Sequence, residues 1–365
     1  MLLRALLLLA LLMLPKGVAA SAAPTPLVVN LAGDLWAWTS SQGWAQLTHW
    51  GHNGPPVLSP DGRRVAYASV AEQVVQARRR GESGNGWAPT NIWVLDPVDR
   101  QASPLTTQPP GKAWHAGLIR STPTWSPDGE FLAWTQKSPD SRASTHTVVL
   151  YSLSNSVMQV SATDAPDDLG VPVASGVLWS PQGLVVLGPV GPPSETAGAV
   201  GPGASVLDTA GRVVRRVPVS SPVTHLTRAG TSVYLAAPGD LTLTSLAGGR
   251  SFKSPTPQRL VAVRAPDGLS VRFVRQGQRL ICGLMRTGQV AREWPCPSGV
   301  GHPDIFHDDL AGTWNVALSP DGRQAAYTRD GAVFVHDGQR ERRILDLGGR
   351  GLYGMVWGPV EFRVP

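Results

Sequence analysis

The sequence predicts an all-β fold assembled from repeated four-stranded antiparallel units, and three observations predict it. A segment recurs as PVLSPDGRRVAYAS at 56–69, PTWSPDGEFLAWTQ at 123–136 and VALSPDGRQAAYTR at 316–329. The composition is rich in turn formers and poor in charge. The 365 residues include 40 Gly and 33 Pro, about a fifth of the chain against roughly 12% in average usage, and only 16% are charged. The copies are separated by short strand-like runs rather than by helix-length patterns. Together these argue against a helical bundle, a coiled coil and a charged disordered chain.

In chain order, Met1–Arg4 is a short basic start and Ala5–Leu14 an apolar run that stops at Pro15. Ten apolar residues are too few for a bilayer that needs about 20, but they suit the central region of a secretory signal. Ala20-Ser21-Ala22 offers a small-residue cleavage site. The expected organisation is a signal peptide over 1–22 and a single domain over 23–365. Leu27–Leu31, Leu35–Thr39 and Trp44–Thr48 read as strands ahead of the first repeat.

Each repeat reads as an apolar strand, Ser-Pro-Asp-Gly, and an alternating strand such as Arg64-Val65-Ala66-Tyr67-Ala68. Pro suits the second position of a type I turn and Gly the left-handed position that follows. The carboxylates of Asp61, Asp128 and Asp321 are therefore expected to cap local amides rather than act as catalytic acids. Asn91–Leu95 and Ser103–Thr106, joined by the turn Pro97–Arg100, supply a second strand pair. The unit thus has four strands, and such units repeated every few tens of residues are the pattern of a β-propeller blade.

Weaker copies occur at 177–188, 225–236 and 261–274, and MVWGPVEF at 355–362 is the last anchor. Anchors at 59, 126, 180, 228, 265, 319 and 358 give seven blades, with six or eight left open by the degenerate middle copies. Strands near the two termini are expected to complete one blade and close the ring, which hides sheet edges.

The WSPDG-plus-alternating-strand repeat resembles that of TolB and related envelope propellers, and it covers the domain nearly end to end. TolB has an N-terminal α/β domain with no counterpart in this sequence, so the resemblance implies the propeller rather than TolB's role in the Tol system. The repeat is also similar to that of prolyl oligopeptidase-like peptidases. Their hydrolase domain has no counterpart here, and the sequence has no Gly-x-Ser-x-Gly nucleophile elbow.

Long connections at 49–55, 69–90, 107–122, 137–146, 163–175, 188–203 and 297–312 all fall in the two loop classes that share one face of a propeller. That face is the expected binding face. Ser69-Val70-Ala71-Glu72 has the form of a capping box opening a short helix that ends at Arg78-Arg79-Arg80. The candidate binding residues are Trp50, His52, Arg78, Arg79, Arg80, Trp87, Trp114 and His115. The arginines are equally well explained as complements to a helix C-terminus, and the tryptophans as pins for their own loops.

His302, Asp304, His307 and Asp308 form the candidate metal group, since imidazole with carboxylate suits zinc or another divalent transition metal, although their spacing matches no standard motif. Otherwise no cofactor is expected. Cys282 and Cys296 are expected to pair in an oxidising compartment. A tight hairpin at Arg286–Gly288 would set Cys282 nearer Arg292, so the bond needs the chain to bend back after Pro295. Closing that loop adds roughly 3 kcal/mol in the chain-entropy model.

The net charge of +6 falls to +4 without Arg4 and Lys16, leaving 30 basic against 26 acidic residues. That is too mild to imply nucleic acid. The expectation is a periplasmic or secreted monomer without a transmembrane segment, more a binder than an enzyme, whose partner is an envelope or periplasmic protein. A metal-dependent hydrolase or lyase at the mouth of the channel and a glycan-binding module are the two rival readings.

Overall fold

The repeat turn sets the geometry of the sheets. In the computed structural model, the Gly62 N–H donates to Ser59 O at 2.9 Å and Gly62 takes φ +72°. The Ser59 hydroxyl donates to Asp61 Oδ1 at 2.5 Å and accepts from Arg64 N, while Asp61 Oδ1 also accepts from Arg63 N. Ser126 with Asp128 and Ser319 with Asp321 repeat this arrangement. The three aspartates are turn formers, as their sequence context implies. The structure describes residues 25–82, 88–111, 113–137, 146–156, 158–163, 177–187, 203–218, 225–229, 232–236, 242–246, 251–253, 260–263, 267–276, 279–296, 316–358 and 361–363.

These turns join strands into antiparallel sheets of four or five, seven in all among the described residues. Sheet 1 comprises 27–31, 34–39 and 43–46, and 352–356 pairs with its first strand, Val29 opposite Met355. Sheet 2 holds 57–58, 65–70, 90–96 and 101–104. Sheet 3 is built on 119–120, 124–125, 131–137, 146–152 and 158–163. Sheet 4 runs 177–180, 183–187, 203–207 and 213–218, and sheet 5 runs 225–229, 232–236, 242–245 and 251–253. Sheet 6 holds 260–263, 269–276, 279–286 and 289–295, with 361–363 added beside 260–263. Sheet 7 comprises 316–318, 325–329, 332–336 and 341–346.

Side chains point alternately to the two sides of a strand, and apolar runs such as 65–68, buried throughout, let sheets bury both faces against their neighbours. Sheet 1 packs on sheet 2 through Val28, Leu35, Val65, Tyr67 and Leu95, and sheet 2 on sheet 3 through Ala66, Ile92, Leu132 and Trp134. Sheets 3 and 4 meet at Val148, Leu150, Trp179 and Leu184, and Leu246 beyond sheet 5 joins the Val185 cluster of sheet 4. Sheet 7 packs on sheet 1 through Ala326, Val333, Leu27, Met355 and Trp357. Trp44 Nε1 ties the same two sheets by donating to Ile344 O at 2.8 Å. Burial of this kind stabilises by roughly 25 cal/mol per Å² of apolar surface. Of the strand tryptophans, Trp38, Trp125, Trp134, Trp179 and Trp357 are buried and Trp36 and Trp93 partly so, as blade packing requires.

Two local expectations are corrected. A helix spans Glu72–Arg79 with Val74, Val75 and Ala77 buried, but its N-cap is Ala71 and no side chain caps it. Ser69 belongs to the strand 65–70, and its hydroxyl donates to Asn53 Oδ1 at 2.9 Å. The capping box therefore does not form, because a loop residue 16 positions earlier takes the hydroxyl first. Cys282 and Cys296 are bonded, with Cα atoms 5.2 Å apart. The turn is the two-residue Thr287-Gly288, at φ +49° and +79°, and a bulge lies between Leu284 and Met285. Cys282 consequently pairs with Trp294 rather than lying nearest Arg292, and Cys296 sits two residues further along the same strand direction. No reversal after Pro295 is needed.

Candidate functional site

The alternation of strand direction puts the described long connections on one face, and hydrogen bonds join them into a continuous surface. Gly331 O accepts from Leu347 N, Gly351 O from Ala32 N, and Gly33 O from Asn53 N. His52 O accepts from Val70 N, Pro89 O from Ala71 N, and Leu118 O from Thr90 N. This chain of contacts runs from sheet 7 across sheets 1 and 2 to sheet 3.

At sheets 1 and 2 a buried polar lock fixes the surface. Asn30 Nδ2 donates to Asn53 O and Gly54 O, both at 2.7 Å, and Asn30 Oδ1 accepts from Gly33 N. Asn53 Nδ2 donates to Gly33 O and Thr48 Oγ1, while Thr48 Oγ1 also accepts from Leu35 N and donates to Asp34 Oδ1. A Cβ on Gly33 would lie 2.1 Å from Gly51 O, and Gly33 holds φ +88°, so only glycine lets the two loops touch.

The candidate binding residues sit on this surface in two groups. Trp50 donates its indole N–H to Val70 O at 3.1 Å and meets His52 edge-on at 5.6 Å between ring centroids. Trp114 donates to Glu82 Oε2 at 2.7 Å and lies edge-on to His115. Arg80 pairs with Glu82 Oε1 at 2.8 Å, and the hydrogen bonds from Arg80 and Trp114 hold the Glu82 carboxyl below its ordinary range. Both described loop tryptophans thus spend their N–H within the protein on a neighbouring segment, Trp50 on the strand 65–70 and Trp114 on the end of the 69–82 stretch. Arg78 and Arg79 are exposed at the helix end. Trp87 lies outside the described residues, as do His302, Asp304, His307 and Asp308. Among the described residues no group of three or more His, Cys, Asp or Glu is placed to hold a metal.

Near sheet 3, Arg120 is only 6% exposed and is held by oxygens without a carboxylate: Nη1 donates to Thr90 O at 2.6 Å and Nη2 to Thr107 O at 3.1 Å. Burial pulls its pKa down to about 10. It fastens the 105–118 connection to sheet 2 and lies beneath the surface.

Sequence reasoning missed a further part of the same surface. Where sheets 6, 7 and 1 meet, a cleft of about 620 Å³ is lined by residues 292–295, 328–331, Leu347 and Leu352. Arg329 makes a bidentate pair with Glu341 at 2.9 and 2.7 Å, and Arg292 Nε stands 3.3 Å from the same carboxylate. Asp330 is 3.3 Å from Arg329 Nε, and Glu293 pairs with Arg272 at 2.6 Å. Trp294 stacks on Tyr327 at 4.1 Å. Trp294 is 3% and Thr328 7% exposed, yet Trp294 Nε1 and Thr328 Oγ1 have no hydrogen-bond partner among the described residues. Four separate chain segments build this cleft, so no local pattern announces it.

No protein-family model and no curated protein sequence matches the chain. Solved structures do. A functionally unknown protein from Desulfotomaculum acetoxidans matches with TM-score 0.50 and 10% identity, over 94% of this chain and 100% of that one. The Pyrococcus horikoshii acylaminoacyl peptidase matches with TM-score 0.50 and 12% identity over 87% of this chain and 48% of its own, so the chain spans about half of that peptidase. An oligogalacturonate lyase in complex with manganese matches with TM-score 0.45 and 14% identity, over 89% of this chain and 85% of that one. With the sheets described above, the two matches at TM-score 0.50 define an all-β, propeller-like fold. The likeness is general to that fold and is not specific to TolB-type chains.

Proposed function

We propose that the protein is an extracytoplasmic β-propeller of seven blades, its ring closed through the pairing of 352–356 with 27–31, that recognises an envelope protein on its long-loop face. The observation that carries this reading is the continuous, hydrogen-bonded loop surface running from Leu347 to Leu118, with Arg78 and Arg79 exposed on it. A rigid sheet scaffold with a preformed loop surface lowers the ordering cost of binding. The disulfide and the apolar N-terminal run support a site of action outside the cytoplasm.

The helix cannot be deleted as a test, because Val74, Val75 and Ala77 are core residues. The experiment is affinity capture from an envelope extract by the intact chain and by R78E/R79E. A protein retained by the first and lost by the second is the expected result. A captured set indifferent to the substitutions overturns the reading.

A hydrolase or lyase acting on the same face is the second reading. The comparisons lean toward it rather than toward a scaffold without chemistry, because several propellers of similar fold belong to enzymes, the acylaminoacyl peptidase among them. This is a likeness of fold, and the reading stands on its own test. Bound zinc or manganese at one equivalent, removed by H302A/H307A together with any hydrolytic or lyase activity, would carry it over the scaffold.

A further inference from the structure

We propose that the strands 352–356 and 361–363 form a releasable strap, anchored on sheet 1, that holds sheet 6 against sheet 7 and sets the width of the cleft between them. The inference goes beyond the protein-recognition reading and does not depend on it.

The two strands follow one another in the chain yet join different sheets, and sheet 7 is skipped. The first, 352–356, pairs with 27–31, the opening strand of sheet 1, and lies against 316–318, the opening strand of sheet 7. The second, 361–363, pairs with 260–263, the opening strand of sheet 6, with Phe362 opposite Ala262. It also lies against 225–229, the opening strand of sheet 5. From Val356 to Glu361 are five residue steps, which an extended chain covers in at most about 18 Å. Sheet 6 is thus tethered to sheet 1, and it cannot move far off sheet 7 while 361–363 stays paired.

The two ends of the strap are held unequally. On sheet 1, Gly354, Met355 and Trp357 are buried, and Trp357 Nε1 donates to Thr25 O at 3.0 Å. Met355 and Trp357 belong to the apolar cluster that joins sheet 1 to sheet 7. On sheet 6 the pairing covers three residues at a sheet edge. Short edge pairings open at lower free energy than a packed core, so the sheet 6 end releases first. The seam beneath the strap has polar ties: Leu269 N donates to Gly322 O at 2.6 Å, Arg286 Nη1 donates to Asp337 O at 3.0 Å, and Arg292 stands 3.3 Å from Glu341. Release of 361–363 leaves sheet 7 on sheet 1 and lets sheet 6 move away from both. The cleft follows, because residues 292–295 line it from sheet 6, Thr328 and Arg329 from sheet 7, and Leu352 begins the strap itself.

The experiment compares the intact, disulfide-bonded chain with two variants. Successive N–H groups of a strand point to opposite sides, so in F362P/R363P one of the two prolines removes a donor facing 260–263. Hydrogen exchange followed by mass spectrometry reads the strand, and spin labels read the seam, placed at V290C and Q339C across sheets 6 and 7 and at Q42C and Q339C across sheets 1 and 7. The expected result is loss of protection over 260–263 and a longer 290–339 distance, with the 42–339 distance unchanged. Lost protection with an unchanged 290–339 distance overturns the proposal, since the strand would then be an appendage. A variant that alters neither reading overturns it too, as does one that loses protection in every sheet, because release would not be local. The second variant, A262C/F362C, joins directly opposed positions, whose Cα spacing of about 4.5–5.5 Å suits a disulfide. This lock is expected to slow exchange over 260–263 below that of the parent. Exchange at the parent rate would mean that the strap does not open in the native protein, and the proposal would fall.

Discussion

The loop face has two regions that treat buried polar groups in opposite ways. Around Asn30, Thr48 and Asn53, polar side chains are saturated: Thr48 Oγ1 alone accepts two hydrogen bonds and donates one. Around Trp294 and Thr328, comparably buried polar groups lack a partner among the described residues. The first pattern adds stability and fixes loop position; the second leaves polar groups buried at a cost. One scaffold thus carries a saturated lock at sheets 1 and 2 and an unsaturated seam at sheets 6 and 7.

Breaking the lock at its tightest point has the largest expected effect. In Gly33→Ala the new methyl carbon would meet Gly51 O at 2.1 Å while the backbone holds φ +88°, so both loops must move. A loss of about 3 kcal/mol or more is expected, read as a lower midpoint in chemical denaturation. A midpoint within error of the parent would mean that the contact between the 31–34 turn and the 47–54 loop contributes nothing.

Removing a saturated hydroxyl is the next step down. Thr48→Val conserves volume but takes the side-chain partner from Leu35 N and one hydrogen bond each from Asn53 Nδ2 and Asp34 Oδ1, which keep Gly33 O and Gly51 N, and a loss of about 2 kcal/mol is expected in the same assay. Asn53 exchange at Nδ2, followed by NMR, should rise in step if the lock opens as one unit.

Turn chemistry gives a smaller, pH-dependent term that belongs to neither region and so serves as a control. Burial works against ionisation of Asp61 and Asp321. It is outweighed by the Ser59 or Ser319 hydroxyl, by the Arg63 or Arg323 amide and by neighbouring arginine charge, so both carboxyls titrate below the ordinary 3.8. A depressed folded value means stability that is fully present above 3.8 and is lost as pH falls through the folded value. D61N/D321N should therefore be less stable than the parent at pH 7, by well under about 1 kcal/mol per turn for such exposed groups, and the gap should narrow as pH falls below 3.8 and through the depressed folded values. A gap that persists unchanged in acid would show that the carboxylate charge is irrelevant to the turns.

What could be read from the sequence follows the range of the interactions involved. The Ser-Pro-Asp-Gly turns were legible because Pro60, Asp61 and Gly62 satisfy one another within four residues, and the pairing of Cys282 with Cys296 followed from their setting. The strand frame was legible through alternation, as in 65–70. The bulge beside Leu284 was not, because a bulge is decided by what the strand packs on, and it moved Cys282 opposite Trp294. Ser69 looked like a helix cap because its competitor, Asn53, is invisible at the spacing of a local motif. The cleft was illegible for the same reason on a larger scale: Trp294, Thr328, Leu347 and Leu352 come from separate segments, and only the packing of sheet 6 on sheet 7 assembles them.

The finest test sets Thr328→Val beside Thr48→Val, the same chemical change made in the two regions. At position 328 the deleted hydroxyl has no partner among the described residues, so replacing it with a methyl removes a group buried at a cost. The expected change in stability is within about 0.5 kcal/mol of zero, or a slight gain. The two substitutions should thus differ by about 2 kcal/mol despite similar burial, because partner count rather than depth sets the cost. Equal losses at both positions would mean that the Thr328 hydroxyl is already satisfied within the free protein. The distinction between a saturated and an unsaturated region would then fall with it.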